Sequence, residues 1–234
     1  MGLSTGTEVF TAAVFDLDGV LIDSERIIMQ SWMAAAAEEQ LALSEADFIQ
    51  VVGCGAQQTY QQLSQLLGGH DALQRVRDRV RARLNAQSGV VFPLKPGALT
   101  LLRQMRQHHV PCAVASSTFV SEVRQRLLRA GVLNYFQAVA GGDEVARTKP
   151  DPGVYLLAAD RLGVSPTDCL AFEDSDHGAR AAHAAGLRVV LIPDLKRFEF
   201  APAYLQLRSL DEALAHVAVW FGTGGNKTSP VLPS

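Results

Sequence analysis

Two kinds of hydrophobic pattern divide the chain. It opens on a short unbroken apolar run, TAAVF (11–15), which fits a strand buried on both faces. Asp16 and Asp18 follow, one residue apart, and then Gly19. For about seventy residues beyond that point the apolar spacing is helical and interrupted at glycines. Helices are predicted over 24–40, 44–52, 56–67 and 72–87, with Ser44 and Asp47 placed as an N-cap and an acidic third position. Gly53-Cys54-Gly55 and Gly68-Gly69 separate the later ones, and the block contains no strand pattern.

From about residue 93 the pattern alternates between helix and strand. Helices are predicted over 96–108, 121–131, 152–163, 177–186 and 209–221, strands over 110–117, 168–175 and 188–194, and a strand followed by a loop over 136–144. Strands separated by helices imply a parallel sheet with right-handed crossovers, an α/β fold of the Rossmann-like kind. The helical block at 21–92 interrupts that pattern after the first strand. It is expected to form a small all-helical cap on a core made of 1–20 and 93–221, with 222–234 as a loose tail.

Composition narrows the picture without changing it. The 234 residues are 48% hydrophobic and 19% charged, and the formal net charge is −3. This excludes wholesale disorder and gives no reason to expect a nucleic-acid or membrane partner. Cys54, Cys112 and Cys169 are widely spaced and form no C-x-x-C pair, which suits free thiols in a reducing compartment. With no apolar leader pattern in 1–11 and no membrane-length run, the expected location is the cytoplasm.

The candidate chemistry gathers at strand ends. The first predicted strand ends at Asp16 and Asp18, the second at Ser116 and Ser117, and the strand over 168–175 at Glu173 and Asp174. Lys149 stands in TKPDP (148–152), before a helix. In open parallel sheets these ends share one ligand-binding edge. Oxygen-only acidic ligands suit Mg²⁺, which would also offset the repulsion between adjacent carboxylates. An ionised Asp16 can attack phosphorus, Asp18 can carry a proton, and Lys149 with Ser116 can hold phosphoryl oxygens.

On these residues the chain resembles the haloacid dehalogenase superfamily of phosphatases and phosphomutases. DLDGV (16–20), ASS (115–117), Lys149 in KPDP and FEDS (172–175) stand in that family's order and spacing, over almost the whole chain. The resemblance implies Asp16 as nucleophile and metal ligand, and Asp18 as general acid/base with its backbone carbonyl on the metal. It implies Ser116, with Ser117 beside it, and Lys149 as phosphate ligands. Glu173 and Asp174 become the acidic pair that helps hold Mg²⁺. DSE (23–25) and PGA (96–98) are similar to the branch of β-phosphoglucomutases and small sugar- or nucleotide-phosphate phosphatases, pseudouridine-5′-phosphate phosphatases among them. The mutases' cap arginine has no counterpart in GCGAQQTY (53–60), their early cap histidine is replaced at Ile27 and Ile28, and their lysine after the second motif is replaced in SSTFV (116–120). A monophosphate phosphatase of small metabolites, monomeric or weakly dimeric, is therefore the expected function, ahead of a phosphomutase. A dehalogenase has no use for Asp18, and a non-catalytic binding protein is the most distant alternative.

Blander readings exist for each residue. Asp16 and Asp18 could form a turn, and Ser116 and Ser117 could cap the following helix. Glu173 and Asp174 could open a turn, and Lys149 alone would be a surface lysine. Arg75, Arg77, Arg79, Arg81 and Arg83 scatter around a helix whose Val76, Val80 and Leu84 form one stripe, as on a solvated cap helix. His177 lies beside the fourth motif and is given no catalytic role, and Gln57, Gln58, Thr59 and Tyr60 offer hydrogen bonds suited to a sugar hydroxyl.

Overall fold

Strand β1 (Ala12–Phe15) is apolar at every position and fully buried, which suits a strand with neighbours on both sides. In the computed structural model, which describes residues 9–52, 56–86, 92–196, 198 and 200–222, it pairs with β2 (Cys112–Ala115) and β4 (Cys169–Glu173). With β3 (Ala138–Ala140), β5 (Arg188–Leu191) and β6 (Leu205–Gln206) they make a parallel sheet in the order β3-β2-β1-β4-β5-β6. The chain goes one way from β1 to β2 and returns to β4 on the other side. The order therefore reverses beside β1, where such sheets open a crevice at their carboxyl ends.

Side chains alternate across the sheet and fill two unlike layers. Ala13, Phe15, Val114, Leu170 and Phe172 face α5 (Ala98–Gln107), α6 (Val120–Arg129), α9 (Leu210–Ala213) and α10 (Val217–Phe221). Phe15 and Phe172 stack with centroids 4.6 Å apart, and Trp220 meets Phe172 edge-on at 5.9 Å. The other face, Ala12, Val14, Ala113, Ala115 and Ala171, is small. It lets α7 (Gly153–Leu162) and α8 (Asp176–Ala184) approach through Ala158, Ala159, Ala181 and Ala182. Cys112 and Cys169 are free thiols buried in these layers, and burial pushes the Cys112 thiol up to about 12. Cys54 lies outside the described residues.

The expected helical block is α1 (Ser24–Glu38), α2 (Glu45–Val51), α3 (Ala56–Leu66) and α4 (His70–Ala86). The Ser44 cap is present as a capping box with Asp47. Trp32, Phe48, Leu63, Leu73, Val76 and Val80 share an apolar cluster separate from the two sheet layers. Along α4, Arg75 and Arg79 grip Glu39 and Arg83 grips Glu38, so these guanidiniums hold α1. Two linkers join the block to the sheet side by side. Ile22 bridges Leu94, and the Asp23 and Lys95 amides donate to Pro93 and Leu21 carbonyls at 2.9 Å.

Two expectations change. The helix expected over 209–221 is broken into α9, a 3-10 turn at Leu214–His216 and α10, because Trp220 must turn in to cover Phe172 while Phe10 donates to its carbonyl at 2.7 Å. The two-residue β6 was also unforeseen, since it is too short to carry a period. The tail beyond 222 is outside the described residues.

Removing the buried Phe15 ring should cost about 3–5 kcal/mol of unfolding free energy, the range for Phe→Ala in a close-packed core. Phe119, which is 64% exposed, should change stability by less than about 0.5 kcal/mol on the same substitution. Urea unfolding of Phe15→Ala and Phe119→Ala checks both.

Candidate active site

The parallel register brings the strand ends to one edge. Asp16 follows β1 and its amide still donates to Phe172 at 3.0 Å, while Ser116 follows β2 and its amide donates to the Ala140 carbonyl at 3.1 Å. Glu173 is the last residue of β4 and Asp174 the next. Each side chain therefore leaves the sheet at about the same height. Asp16, Glu173, Asp174 and Ser116 are all buried.

Asp16, Glu173 and Asp174 each place a carboxylate oxygen within 4.8 Å of the others. Lys149 comes from the loop before α7 and stands between two of them. Its Nζ lies 2.5 Å from Asp16 Oδ1 and 2.6 Å from Glu173 Oε1. The Tyr155 hydroxyl donates to the same Glu173 oxygen, and Lys149 Nζ lies 3.3 Å from the Tyr155 oxygen. Glu173 Oε2 accepts from the Asp174 amide at 3.2 Å and from the Ser175 hydroxyl at 3.3 Å. Both Glu173 oxygens are thus occupied.

Three buried carboxylates lie around one buried ammonium, and two of them, Asp16 and Asp174, are pushed toward their protonated forms. Burial raises Asp16 to about 8; Lys149 opposes the rise, and Glu173 and Asp18 add to it. Asp174 is pushed well above the carboxylate range by burial, with Asp16 and Glu173 adding to it. Burial would lower Lys149, but its two carboxylate partners hold it above the ordinary lysine value. A site that favours protons on its acids lacks positive charge, and a divalent cation on oxygen ligands fits that lack.

Two glycines make the room. Gly19 has φ +85°, and a β-carbon there would sit 2.0 Å from Asp174 Oδ2. On α8, a β-carbon at Gly178 would lie 2.0 Å from Glu173 Oε1. The first motif's glycine therefore admits Asp174, and the glycine after the fourth motif admits Glu173.

Asp18 points elsewhere. Its Oδ1 accepts from Arg126 Nη1 of α6 at 2.6 Å and from the Ser24 hydroxyl of α1, and Oδ2 accepts from Thr118 Oγ1 at 3.3 Å. Its carboxylate is not among the three gathered oxygens. Ser116 Oγ accepts from the Thr118 amide at 3.1 Å. Neither serine caps α6, whose Val120 amide is taken by Asp143 Oδ1 at 2.7 Å. Ser116 thus stays buried at the end of β2, while Ser117 is exposed.

Beside Asp174 is a cavity of about 250 Å³ walled by Val52, Leu195 and Phe198, with Glu25, His177 and Lys196 among its polar residues. Glu25 Oε2 and His177 Nδ1 are buried without a hydrogen-bond partner among the described residues. Burial raises Glu25 to about 7, and Asp194 and Asp18 add to the rise. Thr59 and Tyr60 do not line this cavity; Tyr60 stacks under Arg77 on the outer side of the helical block. The side chains of Gln57 and Gln58 lie outside the described residues.

Sequence reasoning passed over Tyr155, Arg126 and Thr118. Tyr155 lies within the helix predicted over 152–163 and carries no motif signal; only its contact with Glu173 gives its hydroxyl a task. Arg126 carried one signal: it stands three residues after Val123 and one before Leu127, on the inward side of α6.

Comparison with known proteins agrees with this geometry. Residues 10–186 match the family described as hydrolase: haloacid dehalogenase-like hydrolase. A phosphorylated carbohydrates phosphatase of Thermotoga maritima is 31% identical over 176 residues, which cover 75% of this chain and 82% of that protein. A probable pseudouridine-5′-phosphatase of Drosophila melanogaster is 31% identical over 193 residues, covering 79% and 82%. A crystal structure of a HAD family hydrolase from Deinococcus radiodurans R1, with bound phosphate and sodium, superposes with a TM-score of 0.73 at 30% identity and covers 90% of this chain and 96% of that one. The four motifs, the sheet that aligns them and these matches lead to one assignment: the chain belongs to the haloacid dehalogenase-like hydrolase family.

Proposed function

We propose that the protein is a Mg²⁺-dependent phosphatase of small phosphorylated metabolites, of the sugar-phosphate or nucleotide monophosphate type, working through an aspartyl-phosphate on Asp16. The observation that carries this reading is the buried trio Asp16, Glu173 and Asp174 served by the single ammonium of Lys149. Asp16, Asp174 and Glu173, with the Asp18 carbonyl, would hold the ion. Once bound, it supplies positive charge to the phosphoryl oxygens and lets Asp16 stay ionised.

The chemical steps divide among the same residues. Asp16 attacks phosphorus, and Asp18 gives its proton to the leaving oxygen as the ester bond breaks. Asp18 then takes a proton from water as that water displaces Asp16. Lys149 and Ser116 bind the phosphoryl oxygens, with Ser117 at the rim, and Glu173 and Tyr155 hold the Lys149 ammonium in place. Residues 21–92 serve as a cap over this edge, and the cavity beside Asp174 receives the leaving group. Its apolar walls and the free oxygen of Glu25 suit a hydroxyl-bearing metabolite of modest size.

The purified protein should release phosphate from members of a sugar-phosphate and nucleotide panel with Mg²⁺ and lose that activity with chelator. Asp16→Asn should lower kcat by at least about 10³-fold, because no covalent path remains. Full turnover in that variant, or conversion of glucose 1-phosphate to glucose 6-phosphate without net phosphate release, would refute the reading.

Stability should report the ion directly. Asp16 has a folded pKa of about 8 against an ordinary value of 3.8, so between those values the folded chain binds more protons than the unfolded one. The Asp16 contribution to stability therefore falls as pH rises through that window in metal-free protein. A cation replaces the missing charge, so the increase in Tm on adding Mg²⁺ should be larger at pH 8 than at pH 5. Thermal melts with and without Mg²⁺ measure this, and equal shifts at both pH values would contradict it.

A further inference from the structure

We infer that Arg126 is the positioning residue for Asp18: it fixes the orientation of the proton-carrying carboxylate. The inference rests on the phosphatase reading above and goes beyond it, since none of the four motifs contains Arg126.

The geometry argues from the arginine outward. Arg126 lies on the inward side of α6, beside the buried Val123 and Leu127, and its side chain is only 14% exposed. An apolar residue would pack there without desolvating a charge, which costs several kcal/mol when an ion leaves water, by rough estimate. The guanidinium is held on three sides. Nη2 donates to Glu122 one turn back on α6, the plane lies over the Phe92 ring at 5.0 Å, and Nη1 meets Asp18 Oδ1 at 2.6 Å. A rigid fork braced in this way aims as well as binds.

Asp18 has no comparable restraint. Its carboxylate is apart from the Lys149 cluster, and its other partners are two hydroxyls, Thr118 and Ser24. Ser24 is the first residue of α1 and belongs to the helical block, whereas Arg126 and Thr118 belong to the sheet half. Two of the three Asp18 partners, Arg126 and Thr118, therefore come from the sheet half. The hold from Arg126 keeps the Asp18 carboxylate apart from the Asp16, Glu173 and Asp174 oxygens while Asp18 stays two residues from Asp16 in the chain.

The test separates positioning from packing by the leaving group. Phenolate needs a proton as it departs, and 4-nitrophenolate, the weaker base, hardly does. Single-turnover release from phenyl phosphate and 4-nitrophenyl phosphate, with enzyme in excess and Mg²⁺ present, reads the first chemical step alone. In Arg126→Gln, release of phenol should fall by about 10²-fold, the scale of lost general-acid catalysis, and release of 4-nitrophenol by less than about threefold. Arg126→Lys should recover part of the phenol rate. Glu122→Gln, at a half-exposed position that poses no folding problem, should show the same split at smaller size. An equal fall for both esters in Arg126→Gln and Glu122→Gln, or no fall for either, would overturn the proposal. Failure of the wild-type protein to cleave both esters would instead overturn the phosphatase reading and the inference with it.

Discussion

Lys149 between Asp16 and Glu173 is the contact on which the site depends. One ammonium is buried with three carboxylates, and the charge does not balance without further positive charge. Such an arrangement is costly in a protein interior, and truncating one partner would leave uncompensated charge behind. The surrounding structure keeps the arrangement in register. Tyr155 braces the Lys149–Glu173 pair from α7, and the Ser175 hydroxyl braces Glu173 while capping α8 through the Gly178 amide. Gly19 and Gly178 leave the space that their neighbours' carboxylates occupy.

The sheet makes the convergence possible. Its parallel strands point every carboxyl end to one edge, and the reversal of order beside β1 opens that edge. The two faces divide the structural work. Aromatic stacking of Phe15, Phe172 and Trp220 fills one layer, while the alanine-lined layer draws α7 and α8 close enough for Tyr155 to reach Glu173. The functional edge is thus supported from below by packing that has no chemical part in the reaction.

Much of this was legible in the sequence, and for physical reasons. A strand buried on both faces must be a continuous apolar run, so the ends of β1, β2 and β4 declare themselves, and with them Asp16, Ser116, Glu173 and Asp174. Lys149 was legible from its KPDP setting alone. What stayed hidden depends on contacts between distant residues. Arg126 meets Asp18 across 108 positions and Tyr155 meets Glu173 across 18, and no local period encodes either contact. The break between α9 and α10 was hidden for the same reason, since Trp220 turns inward to meet a strand that the local sequence does not show.

The paired linkers carry an evolutionary consequence. The chain leaves the sheet and returns to it through two segments bound to each other at Ile22 and Leu94, so the sheet meets the helical block as a narrow stalk. Lys95 and Arg26 both grip Asp194 at that stalk, which ties its two sides to the exit of β5. An insertion whose ends already touch imposes no length or register on the strands that follow it. Helices between those ends can be lengthened, exchanged or recruited from elsewhere while the acidic edge stays as it is. The acidic edge and the helical block thus meet at one short join, formed where Ile22 bridges Leu94.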